Sequence, residues 1–183
     1  MDLKQAYSSL KKDEDAIRSY LTRKGLKEGE MVFSAVSIHK IYQPEYDNNG
    51  RLLSNHFGGY SLTQQIKVES KNINQVEKIS REITELIQMG IEFNSSAPSY
   101  YYSKMSELKI DLLAKASKDA KDRSQSIAEN AGSKLGELKY ANMGVFQITG
   151  QNSNEDFSYG GTFNTSSKNK TASITIHTEY GLN

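Results

Sequence analysis

The sequence contains no Cys or Trp and only 2 Pro among its 183 residues. Without Cys the chain forms no disulfide, thiolate zinc site or iron–sulfur cluster and offers no thiol nucleophile, whatever its fold. The lack of Cys does not identify a compartment, because cytosolic proteins and exported bacterial proteins can both do without it. The length fits one domain, or two small ones that share a sheet.

Neither sign of charge is in excess, since 23 Lys and Arg residues balance 22 Asp and Glu residues for a formal net charge of +1. Sequence-independent phosphate binding needs a strongly basic surface, so nucleic acid is not an expected partner. No stretch approaches the roughly 20 apolar residues that cross a bilayer. The chain also lacks a basic segment followed by an apolar one at its start, so it is either cytosolic or separated from its targeting segment, with a non-native Met1.

The first third of the sequence predicts a helix followed by a long β-hairpin. Apolar residues recur at helical spacing up to Gly25, and they are Leu3, Tyr7, Leu10, Ile17 and Leu21. β-Rich residues follow from Met31 to Tyr42, and Asp, Asn and Gly at 47–50 predict the turn. Residues 60–69 alternate between apolar and polar types, which indicates a second strand with one exposed face.

A second helix is predicted from about Ile73 to Met89, because its apolar residues share one face and Gly90 stands where glycine commonly ends a helix. Residues 91–93 predict the start of another strand. It should end near Pro98, because proline donates no hydrogen bond to a strand ladder.

The longest regular segment lies between Lys104 and Ala131, is free of Pro and Gly, and stops at Gly132. A helix of this length would measure about 42 Å, so we expect it to overhang its domain or to be covered by a neighbour. Its apolar residues change from large to small along the segment, in the order Met105, Leu108, Leu112, Ala116, Ala120, Ala128 and Ala131. The second half can therefore approach its packing partner closely.

Two strands and a polar loop complete the chain. Residues 138–148 predict a strand with an irregularity at Asn142 and Gly144, and residues 172–177 predict the closing strand. Between them, residues 151–170 are dominated by Asn, Ser, Gly and Thr, so we expect a flexible polar loop. The element order predicts the α+β class, with a largely antiparallel sheet and helices on one face, including one long Ala-rich helix.

No spacing pattern indicates a catalytic, cofactor or metal site. His39, His56 and His177 are far apart and belong to no HExxH motif. The Gly pairs at 58–59 and 160–161 are not followed by the Lys-Ser/Thr of a phosphate-binding loop, and no serine lies in a GxSxG motif. We therefore predict a protein that is not an enzyme, with no cofactor and no metal. A site assembled from scattered residues would leave no linear pattern.

Tyr100, Tyr101 and Tyr102 form the most unusual short run. Exposed aromatic rings can anchor a protein interface or stack on bases. Alternate residues of a strand face opposite sides, so at least one of the three is expected in the core. The balanced charge favours core or interface over nucleotide stacking, and we take the run as a candidate interface.

Residues 119–136, DAKDRSQSIAENAGSKLG, resemble the hallmark segment of the SIMPL-domain family. That segment is an Ala-rich helix with the pattern D-A-x-x-[KR]-A-x-x-[IL]-A, followed by a Gly-x-x-Leu-Gly turn. Ser124 departs from the pattern, where the family usually has Ala. Residues 68–73 are similar to the family's strand-to-helix junction, residues 89–91 to its helix end, and residues 172–176 to its last strand.

The resemblance implies a bacterial periplasmic or cell-envelope protein that acts by self-assembly or by binding a protein partner. Relatives are linked to oxidative-stress tolerance, immunogenicity and ring- or channel-like oligomers, and a vertebrate relative is a kinase-signalling adaptor. Family members usually begin with a further strand after a signal peptide or anchor. The resemblance thus implies that residues 1–183 are a single domain lacking that strand and its targeting or membrane-anchoring segment.

Two alternative functions stay open at this point. One is a small-ligand-binding protein or enzyme with a pocket between sheet and helices, and the other is an intracellular signalling adaptor.

Overall fold

The computed structural model describes residues 2–183, which form a first compact unit that ends at Pro98 and a second unit, Ser99–Asn183. Each unit has a long helix followed by a two-stranded antiparallel ribbon. The fold is α+β, as predicted, and its named strands pair in four antiparallel two-stranded ladders.

The first unit begins with helix α1 (Leu3–Arg23). Asp2 caps it, since its Oδ1 accepts a hydrogen bond from the Gln5 N–H at 2.8 Å. The helix ends just before Gly25, whose φ of +92° is a conformation that glycine adopts without strain. A 3-10 turn at Glu28–Glu30 leads into the ribbon.

The first ribbon has two long sides, and an irregularity divides each side into two strands, so the ribbon consists of two successive two-stranded ladders. Strand β1 (Met31–Phe33) pairs with β4 (Ile66–Val68), and β2 (Ser37–Tyr46) pairs with β3 (Leu52–Thr63). Asp47 forms the connecting turn, since its Oδ1 accepts hydrogen bonds from two backbone N–H groups farther along it. The predicted long hairpin is therefore confirmed.

The core of the first unit closes around the β1–β4 end of the ribbon. Helices α2 (Ile73–Glu82) and α3 (Glu85–Gln88) pack there with the end of α1. The buried apolar residues are Tyr20, Leu21, Leu26, Met31, Ile79, Leu86 and Ile91. Strands β2 and β3 extend beyond this cluster, and none of their residues belongs to it.

An ionic contact fastens α1 to the two shorter helices. The Nζ of Lys24 lies 2.8 Å from the Glu82 carboxylate and 3.0 Å from that of Glu85, and the Tyr20 hydroxyl donates to the Glu82 carbonyl oxygen. The hydrogen bond from Lys24 holds the pKa of Glu82 below its ordinary value. The contact thus favours the charged form of both partners.

Two predictions for this unit were wrong. The helix predicted from Ile73 to Met89 breaks after Glu82, because i to i+3 hydrogen bonds such as that from Leu86 N–H to the Ile83 carbonyl tighten the turn. The strand predicted at residues 91–93 does not form, since the Ile91 N–H bonds to the Leu86 carbonyl rather than to a neighbouring strand.

The second unit begins with helix α4 (Met105–Asn130), which at 26 residues and 1.5 Å per residue is about 39 Å long. Gly132 ends the helix with a φ of +77°, and the Ser133 N–H bonds to the Ala128 carbonyl, as in a Schellman motif. The predicted helix end is confirmed. The predicted apolar face is confirmed for most of its residues: Met105, Leu108, Leu112, Ala116 and Ala120 are half-buried and Ala128 is buried, whereas Ala131 is exposed.

The second ribbon follows α4. Strand β5 (Leu135–Met143) pairs with β8 (Ile176–Leu182), and β6 (Gln147–Gly150) pairs with β7 (Lys170–Ser173). The break between β5 and β6 begins at Gly144, where the sequence predicts an irregularity. In Ser99–Asn183, all of which is described, the fully buried apolar side chains are those of Ala128 and Ile148. The second unit therefore has fewer buried apolar side chains than the first.

Core packing of the first unit can be tested at two adjacent residues of α3. Leu86 is 1% exposed and Ile87 is 60% exposed. Leu86→Ala should lower the free energy of unfolding by about 2–5 kcal/mol, because it leaves a cavity. Ile87→Ala should change it by less than about 0.5 kcal/mol. Urea denaturation followed by circular dichroism measures both, and equal effects of the two substitutions would contradict this assignment of the core.

Candidate functional site

Gln147 is a buried polar residue in β6 that holds the loop after it. Its Oε1 accepts hydrogen bonds from the backbone N–H of Ser158 at 3.3 Å and of Thr162 at 2.7 Å. Its Nε2 donates to the Ser158 carbonyl oxygen at 2.8 Å. A buried amide with these partners fixes one side of the loop against the strand.

Asn164 and Glu155 hold the other side of the loop. The Asn164 Nδ2 donates to Glu155 Oε1, and its Oδ1 accepts from the Ser167 N–H at 2.8 Å. The second oxygen of Glu155 accepts from the Gly150 N–H at 2.7 Å. Hydrogen bonds from the Gly150 N–H and, to a smaller extent, from the Asn164 amide hold the pKa of Glu155 below its ordinary value. Burial lowers the pKa of Lys170, whose ammonium donates to the Asn164 carbonyl oxygen.

We call this set of Gln147, Glu155 and Asn164 the loop clasp. The flexibility of residues 151–170 stays a prediction, but the clasp uses several of the polar groups on which that prediction rests. Sequence reasoning missed the clasp, although Gln147 in an otherwise apolar strand pattern was a signal for it.

An apolar groove of about 520 Å³ lies where α4, the β5–β6 break and the loop meet. Its lining includes Lys109 of α4, Met143 and Phe146 at the break, and Gly161 and Phe163 of the loop. Lys109 is the one charged side chain of this lining, and its Nζ lies 5.6 Å from the centre of the Phe146 ring. The arrangement can bind a largely apolar molecule in contact with a single cation.

The three tyrosines lie in a segment without regular secondary structure before α4, so the alternation expected of a strand does not apply to them. Tyr100 is half-buried, and its N–H donates to the Thr165 carbonyl at 2.7 Å. Tyr101 is 69% exposed, with its ring 6.3 Å from that of Phe163, and Tyr102 is also exposed. Their role as an interface stays a prediction.

The histidines are exposed and do not come together. His56 Nε2 lies 2.7 Å from Glu45 Oε2 and 2.9 Å from Ser54 Oγ. A catalytic Ser–His–acid array uses opposite nitrogens of the ring for its two partners, so this exposed cluster lacks that arrangement. Within residues 2–183, no group of three potential metal ligands lies close enough to hold an ion.

Small residues at the end of α4 and the start of β5 allow close packing or satisfy their own hydrogen bonds. Ala128 is buried, and a Cβ on Gly136 would come within 3.0 Å of the Gly181 backbone, so β5 and β8 approach closely there. Ser124 satisfies its hydroxyl by donating to the Ala120 carbonyl at 2.8 Å. These positions belong to the segment that resembles the SIMPL hallmark.

The geometry defines an α+β protein with two helix-and-ribbon units and, in the described residues 2–183, no helix long and apolar enough for a bilayer crossing. The chain belongs to the SIMPL family of proteins of unknown function (DUF541), whose family model matches residues 1–179. The resemblance predicted from the sequence is thereby confirmed. A search of curated proteins found no match to the chain.

The departure at Ser124 gives a stability prediction. Ser124→Ala should raise the free energy of unfolding by about 0.5 kcal/mol, because alanine has the higher helix propensity. The reverse exchange, Ala128→Ser, should lower it by about 1–3 kcal/mol, since it places a hydroxyl at a buried position. Urea denaturation measures both, and a loss of stability in Ser124→Ala would mean that the hydroxyl has a further role.

The clasp gives a pH prediction. The pKa of Glu155 is lowered in the folded state, so its contribution to stability is present above the unfolded pKa of about 4.5 and is lost as the pH falls through the folded pKa. Amide exchange of Gly150, corrected for its intrinsic pH dependence, should accelerate over that range. Glu155→Gln should show weaker protection without this pH dependence. Asp156→Asn is the control and should behave as the wild type; identical profiles for all three would contradict the prediction.

Proposed function

We propose that the chain is a non-enzymatic assembly protein whose β2–β3 hairpin contacts a second copy of itself. The observation that carries this proposal is the division of the hairpin into an apolar face and a polar face. Directly opposite residues of an antiparallel ladder share a face. Ile38 is opposite Leu62, Tyr42 is opposite Phe57, and Tyr46 is opposite Leu52.

These pairs form what we call the apolar face of the hairpin. Its residues Ile38, Tyr42, Tyr46, Leu52 and Phe57 are each 50–58% exposed. The Phe57 ring meets those of Tyr42 at 6.1 Å and Tyr60 at 5.1 Å edge to face, so the aromatic side chains cluster near the middle of the face. The Lys40–Tyr60 and Pro44–Asn55 pairs lie between the apolar pairs.

The opposite face is mainly polar, which suits a surface that stays in water. His39, Gln43 and Glu45 are opposite Ser61, His56 and Ser54, and Ile41 is the apolar exception. A two-stranded hairpin is at best marginally stable in water without a covered face. The balanced net charge adds little repulsion between copies, so a second copy is a suitable cover for the apolar face.

Light scattering coupled to size-exclusion chromatography tests this assembly. The wild type should form an oligomer at micromolar concentration. Tyr46→Glu should weaken it about tenfold or more, because the interface would then bury an unpaired carboxylate. Ser61→Glu introduces the same charge on the polar face of β3 and should leave the mass unchanged.

Phe57→Glu is a second variant on the apolar face, and thermal unfolding confirms that each variant is folded. A wild type that stays monomeric at high concentration would overturn the proposal. So would an oligomer that both apolar-face variants leave intact.

We also propose a periplasmic or cell-envelope location and a role in stress tolerance. Their support is the family resemblance alone. Fractionation of native cells with compartment markers tests the location, and recovery of the protein with cytosolic markers would instead favour the adaptor alternative.

A further inference from the structure

Close backbone contacts and hydrogen bonds fix the wall of the apolar groove in the second unit. Gly161, in its wall, has a φ of +93°, and a Cβ there would lie 2.8 Å from Val145 Cγ1 and 2.9 Å from the Phe146 carbonyl oxygen. The loop therefore lies against the strand break more closely than another residue would allow. Gln147 fixes the loop residues on both sides of this glycine.

The lining leaves apolar surface in contact with water. Met143, Val145 and Phe163 are each about half exposed although they lie together in one groove. Clustered apolar surface of this kind favours a ligand that removes it from water.

Lys109 supplies the second chemical feature. Within residues 2–183, no carboxylate lies within salt-bridge distance of its ammonium, although several other lysines of the chain have such partners. The ammonium is placed over the Phe146 ring, at the edge of the apolar lining. A ligand with an anionic group and an apolar body would pair with the Lys109 ammonium and also cover the apolar lining.

We propose that this groove binds a linear aliphatic monocarboxylate of the medium-chain fatty-acid class. The carboxylate pairs with Lys109, and the chain lies along Phe146, Met143 and Phe163. A single cation favours one carboxylate over a nucleotide or polyphosphate, which takes several positive groups or a helix N-terminus. The scarcity of polar side chains in the lining argues against a sugar.

Isothermal titration with dodecanoate below its micelle concentration tests the ligand class. Dodecyltrimethylammonium has the same chain with the opposite charge, and a short peptide ending in Phe has a carboxylate on a peptide chain. We expect dodecanoate to bind at one site per chain and both other probes to bind at least about tenfold more weakly. Equal binding of the cationic probe would overturn the proposal, and stronger binding of the peptide would replace it with a peptide site.

Variants of α4 and the loop test the place of binding. Lys109→Met should weaken dodecanoate binding about tenfold or more, because it removes a charge-assisted hydrogen bond. Lys121→Met removes an exposed charge from the same helix, outside the groove lining, and should leave binding within about twofold. Phe163→Ala should weaken binding of dodecanoate and of the cationic probe alike.

Thermal unfolding shows that the variants are folded, and amide shifts of Gly161 and Phe146 on titration locate the ligand. Unchanged affinity in Lys109→Met, or shifts confined to the β2–β3 hairpin, would overturn the proposal. Repeating the titration with Tyr46→Glu separates it from self-assembly, since the groove contains no residue of the apolar face of the hairpin.

Discussion

A ribbon of two strands has two faces, and the helices of each unit cover only part of them. In the first unit, α1, α2 and α3 enclose the β1–β4 end, and Leu21 and Leu86 are almost fully buried there. α1 also contacts β3, where Tyr60 and Leu62 are half-buried. The apolar residues Ile38, Tyr42, Tyr46, Leu52 and Phe57 stay about half exposed. In the second unit a single helix packs along β5 and β8, and its small residues give close approach but little buried area. The distribution of exposed apolar surface follows from this shortage of covering elements.

Local signals in the sequence were sufficient for the ends and faces of the main elements. Gly132 stops α4 because it adopts a left-handed conformation at the helix end, and Asp47 shapes the hairpin turn through its own side chain. The break after Glu82 could not be predicted in this way, because the apolar spacing of Ile79, Ile83 and Leu86 continues through it. Core packing, rather than periodicity, determines where Leu86 lies.

The candidate sites were harder to predict because their residues are brought together by the fold. Gln147 and Thr162 are 15 positions apart, and Lys109 reaches Phe146 only when the helix lies against the strand break. The composition of residues 151–170 predicted a flexible loop, because a count of polar residues does not show which of them form hydrogen bonds in the fold. The family pattern, by contrast, was readable because Gly132, Gly136 and Ala128 meet local steric demands close to one another along the chain.

The two proposed surfaces differ in chemistry, which argues for different occupants. The hairpin face has aromatic and aliphatic side chains in register, and its Lys40, opposite Tyr60, carries its ammonium on a long stem that can keep the charge in water, so a copy of the same face can meet it without burying that charge. The groove contains an ammonium, and a second groove would bring two like charges together. Self-association is therefore favoured at the hairpin and disfavoured at the groove, where an anion removes the electrostatic cost. The loop clasp supports binding at the groove, because Gln147 and Asn164 hold the loop in place through hydrogen bonds. An apolar ligand chain could replace apolar contacts, but it cannot replace these hydrogen bonds.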